Sequence, residues 1–488
     1  MKHLLLAIAA LLCIQTATAQ EWKINVGTES KALKYTGSNV VQTTGFIGAI
    51  GNTTYLMRYT DERKSDGKPY LASYNRDLVE QRQTMLPDGK NQTLYGGFAN
   101  AESIDLLMTD KEGKTYKAYK LCYDPTTLAE KSSPKELASF TSSANIYTFV
   151  SSSQSNEWTA IIFAEVADES VEWRINMYDT ELEELWNMEL SLGYVNDWLV
   201  TDSADVITAG YHKSKDSKDT YLNFNVIDGE RDHSFKIEEE LDDLQTMEVV
   251  RYADGKIYCT GLIAGEKQDQ TGRWNSGFYS LVFDTRTGKM SHYEKKDFIK
   301  ENIADLCNVA HRIKMKVLST DRVSFCNARS DNDGTTVLFE RTYNLFVDVI
   351  FNYSDYVGML LYRIDNDGRI AWYNTIPRDV KAPAGIQNGV RSRLITTGVE
   401  GKYTVFYIDS PKNMEPKPGK PAAEIAINRS SNGLMGLSVD KQGNITRQIL
   451  QIPSKSACIG APHLLSQGEF MLLLSQPHQS NIAILKYE

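Results

Sequence analysis

Along most of this chain apolar and polar residues alternate with a period of two, as in TTYLMRYT (53–60), DVITAGYH (205–212), KIYCTGLI (256–263) and YTVFYID (403–409). Tyr, Val, Ile, Thr and Phe dominate these runs, and Asp-Gly, Asn-Asp-Gly and Gly-Asn pairs separate them. This is the pattern of strands joined by tight hairpins. Helical spacing shows at 237–247, which suggests one turn, and at 297–310, where Phe298, Ile299, Ile303, Leu306 and Val309 fall near one face.

The strand pattern repeats. Seven times an apolar segment runs into an acidic or amide residue, a short polar turn and a second apolar segment, with anchors at Asn75, Asp124, Asp179, Asn225, Asp284, Asp365 and Asp440. Successive anchors lie 49, 55, 46, 59, 81 and 75 residues apart. The shorter intervals fit a four-stranded propeller blade of roughly 40–50 residues. Compact units follow one another from Thr43 to about Phe298, and two elongated ones occupy about 299–378 and 379–453. The C-terminal tail holds about three strands and no fourth, while EWKINV (21–26) is a strand with no unit of its own. Pairing the two ends in one blade removes two exposed edges. The expected fold is therefore an all-β propeller of eight four-stranded antiparallel blades forming one domain over 20–488, with seven blades as the alternative. The anchors are expected to cap turns by accepting backbone N–H bonds. Trp186 and Trp372, each seven residues past an anchor, are expected to pack between blades. The four-proline loop at 410–424 is expected to be exposed and outside any ladder.

Lys2 and His3, the apolar run from Leu4 to Ile14 and the Ala17-Thr18-Ala19 site read as a signal peptide over 1–19. Leu11 and Leu12 precede Cys13 where a lipoprotein peptidase needs a small residue, so the expectation is a soluble periplasmic or secreted protein and not a lipoprotein. No later segment approaches the length of a membrane helix. The formal charge of −10 becomes about −11 once Lys2 is removed, a field that repels phosphate backbones and argues against nucleic acid. Five cysteines remain, none at C-x-x-C spacing; Cys122 and Cys259 read as buried apolar residues, and Cys307 and Cys326 as the one conceivable pair.

The unit VFDTRTGKMSH resembles the quinoprotein-type propeller repeat in Asp284, Thr287, Gly288 and Lys289, with His292 standing where a tryptophan recurs. The enzymes of that family also need vicinal cysteines and a calcium constellation. No adjacent cysteine pair exists here, so the resemblance implies the fold without the dehydrogenase activity or its cofactor. The run from Leu361 to Pro377 is similar to a late-blade segment of exported propeller proteins, a likeness that names no chemistry.

Local motifs exclude several chemistries. The Asp-rich turns before Gly334 and Gly368 place Arg329 and Arg363 in the first seat of an EF-hand-type loop, which a cation cannot fill. The run Ser330 to Val337 is similar to a sialidase Asp-box but does not recur. No histidine pair has zinc spacing, and there is no nucleophile elbow or Walker loop. No metal, cofactor or catalytic residue is therefore assigned. The candidate ligand-binding residues lie mostly in the elongated units: His311, Arg312, Glu340, Arg341, Tyr343, Arg391 and Arg393, with Trp274 as an aromatic platform. Arginines beside aromatics suit carboxylates and sugar rings. The expected function is a monomeric, non-enzymatic scaffold that binds a protein or glycan of the envelope or extracellular space on one rim. The alternative is a carbohydrate hydrolase or lyase whose acids converge at the channel mouth from different blades.

Overall fold

The computed structural model describes residues 22–26, 45–59, 68–77, 79–142, 144, 146–166, 171–193, 195–213, 220–238, 241, 244–269, 272–298, 300–301, 319–346, 352–383, 391–415, 422, 425–426, 432–450, 458–459, 463–466, 468–476 and 479–487. These residues form eight sheets whose strands run antiparallel in sequence order, the arrangement of an eight-bladed propeller. The innermost strands of blades 1 to 7 are Gly45–Ile50, Thr93–Ala99, Ile146–Ser152, Asp197–Val200, Glu248–Ala253, Ser319–Asp331 and Arg393–Thr396. Blade 8 takes its inner strands from the C-terminal tail, ending in Gln479–Tyr487, and its outermost strand from the N-terminal Trp22–Val26. Trp22 secures this closure. It is buried, its indole N–H donates to Thr404 Oγ1 at 3.0 Å, and its backbone exchanges bonds with the Gln448 side chain in blade 7.

The acidic anchors sit in the turns between third and fourth strands. The Asp179, Asp365 and Asp440 carboxylates each accept two backbone N–H bonds at 2.8–2.9 Å, and Asp124 and Asn75 act alike. Blade 4 corrects the sequence reading. Asn225 lies inside a strand, buried and bonded to Thr208 Oγ1 and Ser234 Oγ, and the turn is capped three residues later by Asp228. An amide that satisfies buried strand neighbours and one that caps a turn look alike in sequence.

Each of these turns also packs on the preceding blade. In blades 4 to 7 the turn glycines Gly229, Gly288, Gly368 and Gly443 all have positive φ and face Trp186, Phe235, His292 and Trp372 respectively. These four rings occupy equivalent outermost strands, so His292 stands in the tryptophan position. The two indoles continue the contact by donating to Ala204 O at 3.1 Å and Lys441 O at 2.9 Å. Blades 2 and 3 use another solution: Leu128 and Leu182 take the positive-φ position and are buried in the seams with blades 1 and 2.

Blade 6 is built on a longer scale, with strands of 13, 13, 14 and 14 residues against 6, 7, 6 and 6 in blade 1. At about 3.3 Å per residue the difference is an overhang of about 20 Å. The proline-rich segment departs from expectation at its start, and a short strand follows directly after its end. Ser410 is buried and caps a 3₁₀ turn over Pro411–Asn413, and Ile425–Ala426 pairs in parallel with Val380 and Lys381 as a fifth strand on blade 6. Of the two helical expectations, Ile237 and Glu238 belong to a strand instead. In the other, Glu301 N–H bonds Asp297 O at 2.9 Å, and 302–310 lie outside the described residues.

A β-carbon at Gly443 would sit 2.8 Å from the Trp372 ring, whereas one at Gly113, also at positive φ, meets nothing within 4 Å. Gly443→Ala should therefore cost about 2–4 kcal/mol, conformation plus overpacking, and Gly113→Ala about 1 kcal/mol. Denaturant melts of the two variants check this, and equal losses would remove the seam contact as the cause.

Candidate functional site at the channel mouth

In each blade the innermost strand starts, and the second strand meets the third, on the same face of the ring. The first-to-second and third-to-fourth turns occupy the other. This topology gathers four of the eight sequence candidates on one side. Arg391 and Arg393 stand at the start of the innermost strand of blade 7, Tyr343 near the end of the second strand of blade 6, and Trp274 near the tip of the long hairpin Lys256–Asp269 to Gly272–Asp284 in blade 5. The side chains of Tyr343 and Trp274, and all of His311 and Arg312, lie outside the described residues.

Glu340 and Arg341 lie deeper, at 1% and 2% exposure; Glu340 faces the seam of blades 6 and 7, and Arg341, next along the strand, points to the other side of the blade. Glu340 is bonded to Arg378 and accepts from Ser392 Oγ at 2.8 Å. Arg378, from the outermost strand of blade 6, also donates to Ile408 O at 3.0 Å and lies over the Tyr407 ring. Breaking a buried pair of this kind by removing one partner costs about 3–5 kcal/mol. The Glu340 carboxylate thus holds the seam together, while the half-buried Arg391, which reaches Ser324 Oγ at 3.2 Å, lies nearer the mouth. In the same seam burial pushes Asp409 up to about 6, although nearby Arg378 and bonds from Asn413 and the Ser410 N–H favour its anion. On the opposite face Asp331 is taken up by Arg363 at 2.6 Å and by the Tyr403 hydroxyl at 2.6 Å. Cys326 carries a free thiol, and Cys307 lies outside the described residues.

Sequence reasoning passed over the two carboxyls at the mouth itself. Asp197 and Glu248 are the first residues of the innermost strands of blades 4 and 5, which touch around the axis. The Asp197 carboxylate accepts the Val249 N–H at 2.8 Å, which ties the two strand starts together. Glu248 is positioned from behind. Leu244 bridges to Ile263, the Tyr279 hydroxyl donates to Thr246 O at 2.8 Å, and Gly261 lets that carbonyl approach, since a β-carbon there would lie 2.0 Å from it. Burial pushes Asp197 up to about 6, and burial together with the Asp197 charge pushes Glu248 up to about 8. Both carboxyls therefore hold a proton more readily than free acids do, and they stand on touching strand starts.

No family model matches the chain, and no curated protein matches it. Solved structures resemble it as propellers. They include polysaccharide lyase Uly1 (10% identity, 93% of this chain and 92% of that one, TM-score 0.41). The β-propeller domain of the Trilobed protease from Pyrococcus furiosus is 12% identical (84% and 98% covered, TM-score 0.36), and the Nup133 β-propeller domain of Vanderwaltozyma polyspora 7% (96% and 100%, TM-score 0.37). At these values the likeness concerns fold alone, and functions differ across the set.

A carboxyl whose native pKa is raised binds its proton more tightly folded than unfolded. Unfolding free energy therefore falls as pH climbs from the unfolded value near 4.5 through about 8 for Glu248. Glu248→Gln should leave stability little changed at pH 4.5 and raise it by about 2–3 kcal/mol at pH 8.5. Chemical denaturation at the two pH values checks this, and an equal shift at both would show that the carboxyl does not titrate in this range.

Proposed function

We propose that the protein is an exported recognition scaffold that binds a glycan or other macromolecule of the envelope or extracellular space on the face bearing the channel mouth. The observation behind this reading is the overhang of blade 6. Ring closure does not need it, and it stands beside the inner strand that carries Arg391 and Arg393. Loops and hairpins on a rigid closed scaffold are where recognition residues collect. Secretion follows from the N-terminal reading, since a signal peptide delivers the chain to where such ligands occur.

A second reading is favoured by the Asp197 and Glu248 pair. Two carboxyls with raised proton affinity at one opening suit general acid and base chemistry on a glycosidic bond, and separations of roughly 5–10 Å serve that purpose in glycosidases.

A thermal-shift screen of residues 20–488 against neutral, uronate-bearing and amine-bearing polysaccharides tests both. A ligand at a hundred times its Kd stabilises the fold by about 2.7 kcal/mol. The scaffold reading expects a shift with at least one polysaccharide and no product on long incubation, and a uronate-bearing ligand should be weakened tenfold or more in affinity by Arg391→Ala with Arg393→Ala. Product formation that Glu248→Gln abolishes while binding persists would transfer the case to the enzyme. Absence of any shift would remove glycans as ligands.

A further inference from the structure

Among the described residues, large apolar side chains are exposed at Val79, Met85, Tyr95, Tyr147, Leu185, Val399 and Ile449. Five of these lie on outermost strands or turns. The remaining two, Tyr95 at 38% and Tyr147 at 55% exposure, are both aromatic, and both sit near the start of innermost strands, in blades 2 and 3. They are therefore on the same face of the ring as Asp197 and Glu248 in blades 4 and 5. The contrast with other blades is specific. Tyr95 is the extra residue of a bulge between Leu94 and Gly96. The matching bulge residue of blade 1, Ile47, between Phe46 and Gly48, is 4% exposed. The same backbone feature that buries an aliphatic side chain in one blade leaves a phenol in the open in the next.

Tyr147 is backed by a rigid stack. Its ring lies 6.4 Å from Phe149 at an interplanar angle of 16°, Phe149 lies 4.8 Å from Trp198, and Trp198 meets Trp173 edge-on at 5.6 Å. Trp198 follows Asp197 directly in the chain, so the stack and the carboxyl pair share one strand start. An aromatic ring held on one side and open on the other is a preorganised platform.

We propose that the arc formed by Tyr95, Tyr147, Asp197 and Glu248 is a subsite for a run of uncharged sugar residues. The ring face of a pyranose presents C–H bonds to a phenol, while its hydroxyls need both an acceptor and a donor. Two carboxyl groups on touching strand starts can supply both, each accepting when ionised and donating when protonated. A uronate or sulfated residue would bring negative charge to the pair. Cationic groups that suit such anions, Arg391 and Arg393, lie two to three blades further round. This assignment deepens the recognition reading and depends on it.

The test is calorimetric titration of the full mature chain with three hexasaccharides: a neutral glucan or mannan, a polyuronate and a glucosamine oligomer. Tyr147→Ala and Tyr95→Ala alter exposed side chains, and Arg391→Ala with Arg393→Ala serves as the comparison. The expected result is binding of a neutral hexamer, weakened at least tenfold by Tyr147→Ala and at least threefold by Tyr95→Ala, with less than threefold change in the arginine variant. Neutral-sugar binding that ignores both tyrosines but falls with the arginines would overturn the subsite and leave the recognition reading standing. Binding confined to the polyuronate, or confined to the glucosamine oligomer, would overturn the uncharged-sugar assignment in the same way. No binding of any hexamer would overturn the subsite, with the polysaccharide screen then deciding the broader reading separately.

Discussion

Among the described residues, the six seams from blade 1 to blade 7 rest on a turn that adopts positive φ while touching the blade before it. Two constraints meet there. The third-to-fourth-strand turn needs a left-handed residue, and the facing blade offers a side chain that must be covered. Blades 4 to 7 satisfy both with a glycine under a ring. Blades 2 and 3 accept left-handed strain of about 1–2 kcal/mol at Leu128 and Leu182 and recover about 2–3 kcal/mol by burying the side chain. The balance slightly favours burial, so two chemically different residues serve the same joint.

Because each seam is set by local turns, length added to the opposite face does not disturb the ring. The extended strands of blade 6, the long hairpin of blade 5 and the excursion from blade 7 that adds a strand to blade 6 all use this freedom. The added parts still need an anchor, and Arg378 provides it. Its guanidinium joins Glu340, Ser392 and the carbonyl of Ile408, so it ties blade 6 to blade 7.

How legible each feature was follows from how local its physics is. The anchors were readable because an Asp caps its own turn within four residues, and blade count was readable because two termini with three strands and one strand complete a sheet. The exception, Asn225 taken for Asp228, arose where a buried strand amide and a turn cap sit three residues apart. His292 was placed correctly in the tryptophan position because the repeat fixes its neighbours. Asp197 and Glu248 left no comparable trace. They come from strand starts 51 residues apart in sequence, and their significance lies in the Val249 N–H between them and in the desolvation around them. The one sequence signal was an acid opening a short apolar run twice in succession, which solvated strand ends also show. Tyr147 was hidden for a similar reason, since exposure on an innermost strand depends on the blade beside it.

The mouth is therefore electrostatically divided rather than uniform. Arg378 and Arg391 are held in the seam of blades 6 and 7 by Glu340 and Ser324, whereas the carboxyls of blades 4 and 5 both bind protons more tightly than free acids do. Had Arg391 or Arg393 reached across the axis, an ion pair would have held Glu248 ionised and low. Burial and the Asp197 charge raise it instead. A partly desolvated pair of this kind is stable only because the strand starts are fixed by backbone bonds, from Val249 on one side and through Thr246 on the other. The rigidity of the ring thus permits an arrangement of charge that a flexible loop would relax away.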